Sequence, residues 1–191
     1  FPVGAAVLAE GGELRVTGVC VNPTRIGFLN VLQRMGASVE VDGVTIQFDE
    51  PVADLVARPG PLRATEVMPD EIPGLIDEIP MLAALATRAE GTTVFREVGE
   101  LRVKESDRLG LIAANIRAVG GVAEVVGDNL HVTGGNQPPA GQVTTEGDHR
   151  LAMAFAVLGT LPGARIKVDD MACAAVSFPG FPQMLRTIRR R

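Results

Sequence analysis

The chain has 191 residues, of which 46% are hydrophobic, and a formal net charge of −5. This length and apolar content are enough for one large domain, or two small ones, with a sizeable core. The acidic balance argues against a nucleic-acid partner and against a membrane-surface role. Any anion-binding site must therefore come from a local group of Arg and Lys side chains.

The two cysteines, Cys20 and Cys173, provide neither a disulfide framework nor the spacing of metal ligands. We therefore expect a reducing, cytoplasmic setting and no bound metal. The longest apolar runs, such as LAMAFAVLG, are too short to cross a bilayer. The chain begins with Phe1, in what reads as the second half of an apolar helix, so we expect a fragment of a longer polypeptide.

Three stretches repeat one pattern along the chain: an Ala-rich apolar helix, a Gly, a β-run, a polar turn and a second helix. The first copy reads FPVGAAVLAEGGELRVTGV and then RIGFLNVLQRMGASVEV, with a further β-run at GVTIQF. The stretch that follows it, DEPVADLVARPGPLRATEVMPDE, reads as a loop-like insertion.

The second copy reads IPMLAALATRAEGTTVFREV and then RLGLIAANIRAVGGVAEV, and it ends with the β-run NLHVTG. The third copy, HRLAMAFAVLGTLPGARIKVDD and FPGFPQMLRTIRR, is unfinished at Arg191. The chain is therefore predicted to be α/β, with three α-β-α-β-β units around one core and the last unit incomplete. The first helices should be buried because they are apolar all round. The second helices should end at Gly.

Cations stand at the predicted starts of helices, where the helix dipole disfavours them by about 0.3–1 kcal/mol. Arg25, Arg108 and Arg150 all have this position, and Lys104 precedes Arg108 by one turn. A bound phosphate or carboxylate would reverse the penalty. For Arg25 we prefer a local ion pair, and for the other three an anion site, because equivalent edges of the repeated units can converge on one face.

Acidic residues near these positions admit a simpler interpretation. Glu105 lies three residues before Arg108, and Asp148 precedes His149, so local neutralisation alone could account for the charges. In LIDEIPMLAALA, Asp77 or Glu78 is expected to cap a buried helix. Capping is a sufficient role for an acid there, since catalysis would require Asp77 to reach a substrate hydroxyl.

The motifs LRVKESDRL, DEIPMLAALA, GDHRLAMAF and SFPGF together resemble the C-terminal part of the 5-enolpyruvylshikimate-3-phosphate synthase family. The resemblance covers essentially the whole chain, and KESDR followed by DHR-x-AM is its most specific part. NPTRIGFLNVLQRMG and VDDMACAAVSFPGF are most similar to the bacterial class II branch. The resemblance implies a two-lobed enolpyruvyl transferase fold in which residues 1–191 form a single C-terminal lobe and the other lobe is absent. The strands missing from the third unit would come from upstream of Phe1.

The resemblance also implies the reaction and the roles of site residues. An enolpyruvyl group would pass from phosphoenolpyruvate to shikimate 3-phosphate, with no metal or organic cofactor. Asp77 would be the base near the attacking hydroxyl, and Glu105 the proton donor to the methylene carbon of phosphoenolpyruvate. Lys104 would contact shikimate 3-phosphate, whereas Arg108 and Arg150 would bind the carboxylate and phosphate of phosphoenolpyruvate.

His149 adjoins that site in the resemblance, although a packed, hydrogen-bonded histidine is an equal alternative. The chain departs from the family pattern at Val176, where many members have a Lys that binds phosphoenolpyruvate, and at Glu100, where some have a substrate-contacting Asn. Three alternatives stay open: the sister transferase that acts on UDP-N-acetylglucosamine, a non-catalytic phosphate- or carboxylate-binding module, and a scaffold without ligand affinity. In every case the isolated chain is expected to be catalytically inactive.

Overall fold

A computed structural model describes residues 1–189, so Arg190 and Arg191, at the end of the predicted third unit, lie outside the described residues. The α-helices within residues 1–189 are α1 Pro2–Val7, α2 Gly27–Arg34, α3 Ile79–Ala86, α4 Arg108–Ala118, α5 His149–Leu158 and α6 Phe181–Arg189. Short 3-10 helices span Pro69–Gly74, Ile76–Glu78, Gly99–Val103 and Ala172–Val176. The strands are β1 Leu14–Cys20, β2 Ser38–Gln47, β3 Glu50–Arg58, β4 Leu62–Arg63, β5 Glu66–Val67, β6 Ala89–Glu90, β7 Thr92–Phe95, β8 Val122–Val126, β9 Asn129–Thr133, β10 Ala140–Val143 and β11 Arg165–Val168.

The order of these elements confirms the repeated α-β-α-β-β unit. The first unit is α1-β1-α2-β2-β3, the second is α3-β7-α4-β8-β9, and the third stops after α5-β11-α6 within the described residues. The helices α2 and α4 are followed by Gly36 and Gly120, whose φ angles of 83° and 88° favour glycine. The predicted helix ends are therefore confirmed as well.

The sheets repeat in the same way. In the second unit the strand order is β5-β7-β9-β8, with β5 parallel to β7 and the other neighbours antiparallel. The first unit forms the antiparallel sheet β1-β3-β2, and the third has the parallel pair β10-β11. The pair β10-β11 of the third unit thus corresponds to the parallel pair β5-β7 in the sheet of the second unit. Within residues 1–189, no described strand takes the place that β9 has beside β7.

One prediction about the first unit is wrong. The β-run GVTIQF is not a separate strand but continues β2, and the strand that pairs with it, β3, lies inside the stretch predicted to be loop-like. The hairpin turns at Phe48 and Asp49, both with positive φ. Glu50–Arg58 forms a strand instead of a loop because β3 is hydrogen-bonded on both sides, to β1 and to β2.

The core confirms the prediction for the first helices. All eight residues of α3 are buried, and α3 packs against α5, which in turn contacts α1. These apolar helices share one hydrophobic cluster with the inner faces of the sheets. The second-unit helix α4 packs on β8 and β10. No helix among residues 1–189 has the length and apolar character needed to cross a membrane.

Candidate active site

Residues from three separate elements meet at one place on the molecule. Arg108 is the first residue of α4, Arg150 is the second residue of α5, and Asp77 lies in the 3-10 turn that leads into α3. Asp77 Oδ1 accepts a hydrogen bond from Arg108 Nη1 at 3.0 Å, and its Oδ2 accepts one from Arg150 Nη2 at 3.1 Å. A single carboxylate therefore bridges two guanidinium groups that belong to different repeated units.

The side chain of Arg108 is fully buried, which is unusual for a charged group. Its Nε donates to Asp148 Oδ2 at 2.7 Å, and its Nη2 donates to the carboxylate of Glu105. With Asp77 this makes three acidic partners. Burial opposes the charged form, but the hydrogen bond and ion pairs with Asp148 and Glu105 outweigh burial and raise the pKa of Arg108.

Asp148 is the most deeply placed acid of the cluster, with a fully buried side chain. Its Oδ1 accepts the backbone N–H of Arg150 at 2.9 Å and so caps α5. Its Oδ2 accepts the hydroxyl of buried Ser106 at 3.1 Å as well as Arg108 Nε. Burial alone would raise the pKa of Asp148, yet these donors, Arg108 foremost, lower it below its usual range.

The open side of the cluster is acidic. The side chains of Asp77 and Glu105 are 43% and 54% exposed, whereas Arg150 is 24% exposed. Arg150 Nη1 also donates to the Asp77 carbonyl at 3.0 Å and lies 3.6 Å from Glu78. Burial raises the pKa of Glu78; Arg150 opposes this shift and the charge of Asp77 adds to it.

The prediction that Asp77 or Glu78 caps α3 with its side chain is wrong. Glu78 occupies the N-cap position, but no side-chain hydrogen bond caps this helix from there, and Asp77 lies in the turn before it. The carboxylate of Asp77 points instead to the two arginines, which offer charged donors in place of neutral backbone N–H groups.

Two other predicted site residues stand apart from this network of hydrogen bonds. Lys104 does not share a helix with Arg108, since it follows the 3-10 helix Gly99–Val103 in an extended conformation and pairs with Glu100 at 2.7 Å. His149 is the first residue of α5 and is 9% exposed. Within residues 1–189, none of the hydrogen bonds that join the other site residues involves its ring.

The two departures from the family pattern, and Arg25, are all located on the surface. Val176 ends the 3-10 helix Ala172–Val176 and is 78% exposed. Glu100 is engaged by Lys104. Arg25 lies in an exposed turn before α2 rather than in its first turn. The local ion pair predicted for Arg25 is wrong, since its side chain pairs with no carboxylate within residues 1–189.

The contribution of Asp148 was missed by reasoning from the sequence, which treated it as a neutraliser of the adjacent cations. Its position before a helix does predict a cap, and the cap is present. Its main charged partner, however, is Arg108, 40 residues earlier. No signal in one sequence identifies that pairing, because it depends on how α4 and α5 come together.

The arrangement has a clear chemical capacity. Two guanidinium groups that share one carboxylate suit a small dianion. Arg108 is fully buried behind Asp77 and Glu105, so an anion would have to displace one of those carboxylates to reach it. Among residues 1–189, no three His, Cys, Asp or Glu side chains are grouped as metal ligands.

Fold and cluster together define an α/β protein of repeated units with an arginine–carboxylate site where those units meet. A family model described as EPSP synthase (3-phosphoshikimate 1-carboxyvinyltransferase) matches residues 1–185. The chain belongs to this family.

Relatives and solved structures agree with that assignment. The 3-phosphoshikimate 1-carboxyvinyltransferase of Nitrobacter hamburgensis is 46% identical over 189 residues, covering 98% of this chain and 42% of the relative. The same enzyme from a Synechococcus strain is 44% identical, covering 97% and 43%. The chain thus spans less than half the length of the relatives it matches.

Two solved structures share the fold. The structure of EPSP synthase from Acinetobacter baumannii aligns with a TM-score of 0.89 at 31% identity, covering 97% of this chain and 43% of that one. The enolpyruvyl transferase NikO from Streptomyces tendae aligns with a TM-score of 0.72 at 28% identity, covering 97% and 40%. The fold predicted from the repeats is therefore confirmed.

Proposed function

We propose that this chain is one lobe of an enzyme that transfers the enolpyruvyl group of phosphoenolpyruvate to shikimate 3-phosphate, releasing phosphate. The observation that carries the proposal is the bridge from Asp77 to Arg108 and Arg150. It puts a candidate base beside two cations that suit a small dianion. Family membership supports the choice of the two substrates.

In the proposed reaction Glu105 gives a proton to the methylene carbon of phosphoenolpyruvate, which makes its central carbon electrophilic. The acceptor hydroxyl attacks that carbon, and Asp77 takes the hydroxyl proton. The resulting tetrahedral intermediate loses phosphate, which leaves as hydrogen phosphate with the proton that Asp77 took up, and a proton from the new methyl group returns to Glu105. Both acids lie on the exposed side of the cluster and are hydrogen-bonded to Arg108, so substrate and acids compete for the same donors.

Substrate binding is assigned to the cations. Arg108 and Arg150 bind phosphoenolpyruvate, replacing their present bonds to Glu105 and Asp77 with bonds to its carboxylate and phosphate. Lys104 contacts shikimate 3-phosphate and has to leave Glu100 to do so. His149 borders the site as a nearly buried side chain at the start of α5.

The second lobe is part of the proposal. Residues 1–191 act as the C-terminal lobe, and the partner is an N-terminal lobe of the same polypeptide, as in relatives of more than twice this length. The half-formed sheet β10-β11 would take two antiparallel strands in the place that β9 and β8 have beside β7. A cytoplasmic setting fits the free thiols of Cys20 and Cys173.

The proposal is tested in a two-lobed chimera, in which this chain replaces the matching 42% of the Nitrobacter hamburgensis relative. Phosphate release is followed with phosphoenolpyruvate and shikimate 3-phosphate. The chimera should turn over, and the isolated chain should not. Glu105→Gln should lower kcat by roughly 10²–10⁴-fold, as expected for loss of a general acid. The matched control is Glu124→Gln, at an exposed position of β8, which should leave kcat unchanged.

Equal effects of the two substitutions would remove Glu105 from its proposed role. Retained phosphoenolpyruvate binding with no turnover in the unsubstituted chimera would favour the non-catalytic anion-binding module. The likeness to NikO, an enolpyruvyl transferase, keeps a different acceptor as the second candidate. Turnover with UDP-N-acetylglucosamine in place of shikimate 3-phosphate would favour that candidate.

A further inference from the structure

Asp148 occupies the junction between the two arginines and takes no part in the proposed reaction. We propose that Asp148 is a positioning residue, whose carboxylate holds the guanidinium group of Arg108 in fixed register with the start of α5, which carries Arg150. The inference rests on the proposed function, because its consequence is the affinity for phosphoenolpyruvate. It gives a specific role to a residue that the sequence analysis treats only as a neutraliser of the adjacent cations.

The two carboxylate oxygens of Asp148 serve different elements. Oδ1 faces α5, where it accepts the backbone N–H of Arg150 at 2.9 Å and that of Leu151 at 3.4 Å. Oδ2 faces α4 and the turn before it, accepting from Arg108 Nε at 2.7 Å and from the Ser106 hydroxyl at 3.1 Å. One rigid group therefore sets the distance between the two arginine-bearing helix starts.

The partners of Arg108 divide into one fixed group and two that are free to exchange. Asp148 is fully buried and binds Nε, whereas Asp77 and Glu105 are about half exposed and bind the terminal nitrogens Nη1 and Nη2. An entering anion can replace Asp77 and Glu105 without disturbing Asp148. Held at Nε, the guanidinium group cannot swing away, and both terminal nitrogens stay directed at the open side of the cluster.

Helix capping alone does not explain a buried carboxylate at this position. Asp107 caps α4 through Gly110 N at 3.0 Å, yet its side chain is 51% exposed and its nearest cation is Arg102 at 3.7 Å. Ser or Asn caps a helix as well as Asp does, and neither carries a charge that must be desolvated. The buried charge of Asp148 is therefore matched to Arg108, and Asp107 provides a control for the capping role.

The test uses the two-lobed chimera and measures KM separately for each substrate. Asp148→Asn keeps an oxygen for the cap but presents an amide N–H₂ or a neutral oxygen to Arg108 Nε. We expect KM for phosphoenolpyruvate to rise at least 10-fold, while KM for shikimate 3-phosphate changes less than 3-fold. Asp107→Asn should change both values less than 2-fold. A purely structural role would lower the active fraction and therefore kcat, with both KM values unchanged, and that result would overturn the proposal.

Ser106→Ala decides the matter if Asp148→Asn fails to fold. It removes one hydrogen bond from Oδ2 without changing any charge, and it should raise KM for phosphoenolpyruvate about 2–5-fold, a loss comparable to that of one hydrogen bond. An unchanged KM would contradict the proposal. In an Arg108→Lys background, Asp148→Asn should add less than 2-fold, because a residue that acts through Arg108 has nothing left to position. A full additional loss would show that Asp148 acts by another route.

The two levels of failure are distinguishable. An unsubstituted chimera that neither turns over nor binds phosphoenolpyruvate in calorimetry would overturn the proposed function and this inference with it. An active chimera whose Asp148→Asn and Ser106→Ala variants retain the normal KM for phosphoenolpyruvate would overturn this inference alone.

Discussion

The first and second repeated units begin their amphipathic helices with the same pattern and use it differently. Arg25, Ile26 and Gly27 in the first unit correspond to Arg108, Leu109 and Gly110 in the second. Arg25 is exposed in a turn and makes no ion pair within residues 1–189, whereas Arg108 is fully buried among three carboxylates. The repeat thus specifies where an arginine stands, and its neighbours decide what that arginine does.

The neighbours differ in origin as well as in number. Glu105 comes from the turn just before α4, but Asp77 precedes α3 and Asp148 begins the third unit. The charged cluster is therefore built where elements from different repeats meet. Within residues 1–189 Arg25 makes no ion pair, so substitutions at Arg25 and Arg108 should have different effects.

The largest effect is expected from Arg108→Gln compared with Arg25→Gln. Loss of Arg108 leaves Asp148 buried without a charge partner, which should lower the free energy of unfolding by about 3–5 kcal/mol. Arg25→Gln should change it by no more than about 0.5 kcal/mol, as is usual for exposed sites. Urea denaturation of the chain measures both values. If Arg25→Gln cost as much stability as Arg108→Gln, burial among carboxylates would not be what distinguishes the two arginines.

The elements that are defined by local pattern were predictable from the sequence. The buried helices α1, α3 and α5 follow from uniformly apolar stretches, and the ends of α2 and α4 follow from Gly36 and Gly120. Both signals act within a few residues, so a single sequence contains them in full.

The elements that depend on distant partners were not predictable in the same way. The sequence predicts a loop where β3 lies, because the place of this strand in the sheet is set by β1 and β2 on either side rather than by its own composition. The sequence predicts that Asp77 or Glu78 caps α3, because neither arginine that binds the Asp77 carboxylate is near it in sequence. The pairing of Asp148 with Arg108 was missed for the same reason.

A second comparison concerns the glycine that follows each of these arginines by two residues. A Cβ on Gly27 would lie 2.8 Å from the carbonyl oxygen of Gly74 and 3.0 Å from Leu75 Cβ, where backbone has to move. A Cβ on Gly110 would meet the end of the Asp107 side chain at 2.7 Å, and that side chain is exposed enough to rotate away. The start of α2 is therefore constrained by packing, and the start of α4 is constrained mainly by its cap.

Gly27→Ala should consequently lower the free energy of unfolding by about 1–3 kcal/mol, the usual cost of overpacking. For Gly110→Ala the loss of the Asp107 cap, about 1 kcal/mol, is offset by the better helix propensity of Ala, so the net change should be under about 0.5 kcal/mol. Thermal or urea unfolding of the two variants provides the measurement. A larger loss at Gly110 than at Gly27 would contradict this account of how the two helices are held.

The smallest expected effect is the pH dependence of the free energy of unfolding, which appears only at acidic pH. The fold lowers the pKa of Asp148, through Arg108 and the helix N–H groups and against the opposing effect of burial. It also lowers the pKa of Glu71 in the 3-10 helix Pro69–Gly74, where burial is outweighed by Arg34 of α2 and by the backbone N–H of Met68. A depressed pKa in the folded state means that the ionised form stabilises the fold. That stabilisation is complete above the unfolded value, about 3.9 for Asp and 4.3 for Glu, and is lost as pH falls through the folded value.

The stability advantage of the unsubstituted chain over Asp148→Asn should therefore shrink below about pH 4, with a slope of at most about 1.4 kcal/mol per pH unit for one proton. The advantage over Glu71→Gln should shrink in the same direction but less, because the Glu71 side chain is 23% exposed and Asp148 is fully buried. Urea denaturation at half-unit steps from pH 6 to pH 3 follows both differences. Parallel curves for the unsubstituted chain and Asp148→Asn would mean that the ionised carboxylate stabilises the fold no more than an amide does. The buried pair would then contribute as little to stability as an ordinary surface ion pair.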